Sequence, residues 1–108
     1  MITSRMKRRI KRELSKEKPT IWVGKEGATP QMINEVVRQL EKREMIKIRM
    51  LKTALQEEEA KIIASKIAQQ TDSTLIEVRG NTLILYKSRR RKARSLSADE
   101  LKRDFSKN

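Results

Sequence analysis

Residues 20–30 read TIWVGKEGATP, and this stretch decides the fold. A short β-branched and aromatic run, Ile21 to Val23, lies between a proline and a glycine and predicts a β-strand. The loop Gly24-Lys25-Glu26-Gly27 follows it. Thr29 and Pro30 then stand where the N-cap and the first residue of a helix are expected. The stretch therefore predicts a strand, a glycine-flanked turn and a helix in direct succession.

The sequence after this stretch continues to alternate between helix and strand patterns. Residues 45–51 alternate apolar with basic side chains, as in a half-buried strand. We expect the following helix to begin with a Thr53–Gln56 capping box, with Glu57, Glu58 and Glu59 in or just past its first turn, where carboxylates suit the helix dipole. The helix after Pro30 has apolar residues at the spacing of a helix packed on a sheet: Ile33, Val36, Val37 and Leu40.

The two ends of this region complete the pattern. Residues 74–79 and 82–87 are β-rich and are separated by Gly80-Asn81, which predicts a two-residue hairpin. Residues 2–18 read as a basic helix capped by Thr3 or Ser4, with one narrow apolar stripe. The order αβαβαββ predicts an α/β fold, a two-layer sandwich with a four-stranded mixed sheet.

The charge of the chain is large and unevenly placed. The 108 residues contain 27 Lys and Arg against 14 Asp and Glu, a net charge of +13. Residues 1–18 contribute +6 and residues 88–108 contribute +5, which leaves only +2 for the apolar middle of the chain. Because such a surplus favours polyanions, nucleic acid is the leading partner class.

Missing residue types narrow the possible functions. The chain has no Cys and no His, so it has no thiolate nucleophile, no imidazole base and no Cys or His metal site. The three consecutive glutamates cannot converge on one ion from a helix. Together with the missing Cys and His, this leads us to expect no enzyme activity, no metal and no cofactor. No apolar run approaches the length of a membrane span or a signal peptide, and we expect a soluble, cytoplasmic protein.

The Gly24–Gly27 loop has two interpretations. Glycines let backbone amides approach a phosphate closely, and the following helix adds the positive end of its dipole, while Lys25 adds a charge. Glu26 works against this, and we expect it to point away from a ligand. The alternative is a tight turn that needs glycine for its conformation only.

Three separated motifs resemble the CRM domain, the chloroplast RNA splicing and ribosome maturation module, which also occurs as small YhbY-like proteins. They are residues 18–29, KPTIWVGKEGAT, residues 44–48, EMIKI, and residues 80–87, GNTLILYK. The resemblance implies a CRM-like domain over residues 1–90, a fold similar to the C-terminal domain of translation initiation factor three, and RNA contact at the glycine loop. It also implies association with precursor large ribosomal subunits, as in prokaryotic members, or with intron RNA, as in plant members.

We therefore predict a non-catalytic RNA-binding protein that assists large-subunit ribosome assembly or the processing of structured RNA. An architectural DNA- or chromatin-binding protein is the alternative, since net charge does not distinguish the two nucleic acids. We expect Trp22 to pack in the fold, under the first helix, with base stacking as the other possibility. The predicted RNA-binding residues are Gly24, Lys25, Glu26, Gly27, Arg5, Arg8, Arg9, Arg12, Lys47, Arg49, Arg89, Arg90 and Arg91, with Lys47 and Arg49 included on the condition that their sheet face is open.

The tail beyond the resemblance is a separate segment. Residues 91–108 form a basic C-terminal extension, in which Ser97 and Glu100 have capping-box spacing. A short helix over residues 97–106 is therefore expected. Its function is left open by the sequence.

Overall fold

A computed structural model describes residues 2–88 of the chain. The predicted tail helix at 97–106 and the C-terminal extension lie outside these residues. The elements are α1 (Ser4–Ser15), β1 (Ile21–Val23), α2 (Pro30–Arg43), β2 (Met45–Met50), α3 (Lys52–Glu57), α4 (Ala60–Thr71), β3 (Thr74–Arg79) and β4 (Thr82–Tyr86).

The four strands form one mixed sheet in the order β1-β2-β4-β3. The β1 and β2 strands pair in parallel, while β4 is antiparallel to both β2 and β3. The predicted α/β class and four-stranded mixed sheet are thus confirmed. Gly80, with a φ of +59°, stands in the tight β3–β4 turn, at the position of the predicted hairpin.

The two faces of the sheet bury different clusters, because successive strand residues point to opposite sides. On one face, Ile46 and Ile48 of β2 and Leu83 and Leu85 of β4 join α2, α3 and α4 in the main core. On the other face, Ile84 packs with Ile10 and Leu14 of α1. The helix α1 therefore adds a third, partial layer to the predicted sandwich.

The predicted start of the third helix is wrong. Leu51, not the Thr53–Gln56 pair, precedes the first turn of α3, because its amide donates to the Val23 carbonyl and its own carbonyl accepts from Ala54 and Leu55. Glu58 is extended, and Glu59 is the N-cap of α4 without a side-chain cap bond. The three glutamates therefore flank a break between two helices, and Glu57 and Glu58 lie at the end of α3, where the helix dipole disfavours carboxylates.

The helix ends follow local rules that the sequence carries. Thr3 caps α1 by accepting from the Met6 amide at 3.1 Å, and Thr29 caps α2 in the same way through the Met32 amide at 3.2 Å. The helix α1 is shorter than the predicted 2–18. After α4, Asp72 is left-handed, with φ 53° and ψ 45°. Within residues 2–88, no helix is long and apolar enough to cross a membrane.

Candidate nucleic-acid interface

The loop between β1 and α2 is a hydrogen-bonded turn. The Gly27 amide donates to the Gly24 carbonyl at 2.9 Å, and the Thr29 amide donates to the Gly27 carbonyl at 3.0 Å. Gly27 has a φ of +71°, so it supplies the left-handed conformation. Because its amide is used inside the turn, Gly27 contributes shape here and not a hydrogen-bond donor.

Three other amides of the loop keep their donors free. The amides of Lys25, Glu26 and Ala28 donate to no atom of residues 2–88. The side chains of Lys25 and Glu26 are exposed, and neither forms an ion pair with the described part of the chain. A Cβ added to Gly24 would meet no atom within 4 Å. The loop therefore presents free donors, one cation and open space at the start of α2, and Glu26 is its one opposing charge.

Trp22 does not pack under α1, contrary to the prediction. Its side chain is 55% exposed, whereas Ile21 and Val23 on either side are buried in the main core. A shallow surface groove of about 380 Å³ is lined by Trp22, by the four loop residues Gly24 to Gly27, and by Thr29 and Met32. Trp22 and the loop therefore border one groove.

A row of mostly exposed side chains crosses the sheet from Trp22. Trp22 pairs with Arg49 on β2, Arg49 pairs with Thr82 on β4, and Thr82 pairs with Arg79 on β3. Both arginines are exposed and Thr82 is half-buried. The row lies on the α1 side of the sheet, since Thr82 shares the face of Ile84. Strand alternation in the sequence places Lys47 and Arg49 on one face, but the row itself depends on the pairing register.

Lys47 does not lie on an open sheet face. Its Nζ atom donates to the carbonyl oxygens of Leu14 and Glu17, each at 3.2 Å, at the C-terminal end of α1. Arg43 adds an ion pair to Glu17 at 2.8 Å. The helix α1 thus covers Lys47, and the ammonium is engaged by backbone carbonyls. Arg49, one row further along β2, remains exposed and forms no ion pair within residues 2–88.

The four predicted arginines of α1, at positions 5, 8, 9 and 12, share one exposed face of the helix. That face is opposite to Ile10 and Leu14, which pack on the sheet. Arg9 is held by Glu13 at 3.2 Å. In the described chain Arg5, Arg8 and Arg12 form no ion pair, so three guanidinium groups are available.

Three predicted contact residues fall beyond the described part of the chain. Arg89, Arg90 and Arg91 lie outside the described residues. Between residues 2 and 88, no group of three or more acidic, His or Cys side chains is placed to hold a metal ion.

The fold and the loop together define a small basic α/β domain with a strand, a glycine-flanked turn and a helix at one edge of its sheet. The model of the CRS1/YhbY (CRM) domain family matches residues 2–87. The chain belongs to this family, as the three motifs indicated.

Two relatives are similar to most of the chain. The probable RNA-binding protein MJ0652 of Methanocaldococcus jannaschii is 38% identical over 88 residues, which is 82% of this chain and 65% of that protein. The probable RNA-binding protein YqeI of Bacillus subtilis is 33% identical over 87 residues, 81% of this chain and 88% of that protein. The chain therefore spans slightly less than two thirds of the archaeal relative.

The fold is also similar to a solution structure from Staphylococcus aureus. That protein, SAV1595, is described as a candidate RNA binding protein and is 29% identical to this chain. The TM-score is 0.68, and the match covers 82% of this chain and 90% of the other.

Proposed function

We propose that this protein is a non-catalytic RNA-binding module whose β1–α2 loop binds the RNA backbone. One observation carries the proposal: the free amides of Lys25 and Glu26 and the exposed Lys25 ammonium stand together before the first turn of α2. Backbone donors at a helix N-terminus suit a phosphate, and the adjacent ammonium adds a charge. The names of the two relatives, both probable RNA-binding proteins, support RNA as the ligand.

The free arginines of α1 supply the second part of the proposed binding mode. Arg5, Arg8 and Arg12 are spaced along one exposed helix face, so they suit phosphates spread along an RNA rather than one anionic group. Such contacts position an RNA without reading its sequence. We therefore expect recognition of RNA shape and charge.

As the cellular role of this RNA-binding protein, we propose assembly of the large ribosomal subunit or another step in the processing of structured RNA. This follows the family resemblance and the strongly basic composition. Crosslinking in the source cells, followed by sequencing of the bound RNA, tests it. Enrichment of precursor large-subunit RNA over mature RNA is expected. Crosslinks that merely follow RNA abundance would contradict the ribosomal role.

Binding in solution tests the RNA assignment separately. The complex of the protein with a labelled structured RNA is followed by fluorescence anisotropy while unlabelled RNA or unlabelled duplex DNA is added as competitor. We expect RNA to compete at lower concentration than DNA, and Lys25→Ala to weaken RNA binding. Stronger competition by duplex DNA would favour the architectural DNA-binding alternative.

A further inference from the structure

We propose that the sheet row Trp22–Arg49–Thr82–Arg79 is a second contact surface, which takes an unpaired stretch of RNA next to the loop, with a base stacked on Trp22. The inference rests on the proposed function, because it adds a specificity for single strands to the same ligand. It assigns a role to Trp22, Arg49 and Arg79, which the loop and α1 contacts leave unused.

Trp22 is exposed although it stands in a strand of the sheet. Both neighbours of Trp22 in β1 are buried, whereas Trp22 itself is 55% exposed. A buried tryptophan side chain stabilises a fold more than an exposed one. Since Trp22 is exposed, packing in the main core does not account for a tryptophan at this position. Two large apolar side chains besides Trp22, Leu51 and Ile62, are exposed in the described chain, and neither lines the loop groove.

Trp22 and the residues Gly24 to Gly27 line the same groove, and the Trp22 side chain is 55% exposed. A nucleotide whose phosphate meets the Lys25 and Glu26 amides therefore lies next to Trp22, whose exposed ring is accessible to its base. Bases in a duplex hide their faces in the stack, so only an unpaired base can use that surface.

The row beyond Trp22 is positively charged. Arg49 and Arg79 flank Thr82 on the strands beyond Trp22, and the row spans three strand spacings, about 14 Å. Glu77, next to the row on β3, is bound by Lys11 and by Arg79, each at 3.5 Å. Arg79 is thereby partly engaged, while Arg49 forms no ion pair within residues 2–88, so Arg49 is the stronger phosphate contact of the two.

The helix α1 leaves Trp22 and Arg49 uncovered. The C-terminal end of α1 meets β2 at Lys47, in the row before Trp22 and Arg49. The helix therefore ends where the proposed surface begins. A strand of RNA leaving the loop can cross Trp22 and Arg49 without displacing α1.

The test uses two probes of equal length, an unstructured single-stranded RNA and a fully paired RNA duplex, with the full-length protein. Trp22 is the only tryptophan, so its emission reports this position alone. Binding of the single strand should quench the emission, and binding of the duplex should not. Trp22→Leu should weaken single-strand binding at least about fivefold and leave duplex binding unchanged, while Trp22→Phe should retain most of the affinity.

Two further variants separate this inference from the proposed function. Arg49→Gln should weaken binding of the single strand more than binding of the duplex, whereas Lys25→Ala should weaken binding of both. If Lys25→Ala weakens both probes but Trp22→Leu weakens neither, or weakens both equally, the sheet surface is refuted and the loop assignment stands. A protein that binds neither probe overturns the proposed function and this inference together. Denaturation midpoints of Trp22→Leu and Arg49→Gln should equal that of the unmodified protein, since both side chains are exposed.

Discussion

The Nζ atom of Lys47 donates to the carbonyl oxygen of Leu14 at 3.2 Å and so fastens the end of α1 to the second strand of the sheet. A second bond from the same atom reaches the Glu17 carbonyl at the same distance. A cation at a helix C-terminus also complements the helix dipole. Lys47 therefore has a structural partner, while Arg49, on the same face of the same strand, has none within residues 2–88.

This difference predicts unequal effects of two matched substitutions on the free energy of unfolding. Lys47→Met removes the charged hydrogen bonds at the end of α1 and should lower the free energy of unfolding by about 1–2 kcal/mol. Arg49→Met removes an exposed, unpaired side chain and should change stability little. Urea denaturation followed by circular dichroism measures both. Equal midpoints for the two variants would mean that Lys47 does not hold α1.

The left-handed residue after α4 predicts a stabilising substitution. Asp72 has φ 53°, a conformation that costs a residue with a Cβ about 1–2 kcal/mol relative to its preferred regions. Asp72→Gly should recover part of that cost and raise the free energy of unfolding by up to about 1 kcal/mol. Asp72→Ala keeps the strain and is the control. A less stable glycine variant would show that the Asp72 side chain itself stabilises the helix end.

The loop predicts a variant that loses binding and keeps the fold. Gly24 has open space where a Cβ would stand, and its φ lies outside the left-handed region, so Gly24→Ala should leave the denaturation midpoint unchanged. If RNA phosphate approaches the backbone here, the added methyl group should weaken binding by about tenfold, equivalent to about 1.4 kcal/mol. The measurement is anisotropy with structured RNA.

Gly80→Ala is the matched control for the loop variant. Gly80 also has room for a methyl group but has a φ of +59°, so this change strains the hairpin and should lower stability without a direct effect on the RNA contact. If Gly24→Ala retains full affinity, RNA does not approach the loop backbone closely.

The free arginines of α1 predict a change in salt dependence. Replacing Arg8 and Arg12 with Gln removes two phosphate contacts and should reduce the slope of log affinity against log salt by about 1.5. The control replaces Lys61 and Lys66 of α4 with Gln, which removes the same charge on the other side of the sheet. Equal slopes for the two double variants would contradict a localised electrostatic contact at α1.

The sequence predicts elements well where local rules decide. The order of strand, glycine turn and helix at residues 21–43 follows from Thr29, Pro30 and the two glycines, and the structure places each as expected. The prediction misplaces the start of α3 because Leu51, whose amide bonds to Val23 of β1, begins the helix earlier than the Thr53–Gln56 pattern implies. That bond is a contact between distant residues, and a local pattern does not contain it.

The site is predictable only in part for a similar reason. The exposed loop and α1 arginines follow from composition and helical spacing. Which basic residue of β2 is engaged depends on where α1 crosses the sheet, and the neighbourhood of Trp22 and Arg49 depends on the parallel register of β1 and β2. Both features depend on tertiary contacts, which a local sequence pattern does not contain. The exposure of Trp22 runs against the general tendency of tryptophan to be largely buried, and for this reason the sequence misplaces it.

The central claim is that the β1–α2 loop donates its amides to the RNA backbone. Titration of ¹⁵N-labelled protein with structured RNA, followed by amide resonances, tests it most directly. We expect the amides of Lys25, Glu26 and Ala28 to shift strongly and those on the exposed face of α4 to stay unchanged. Shifts concentrated on α4, with the three loop amides unmoved at saturating RNA, would contradict the account.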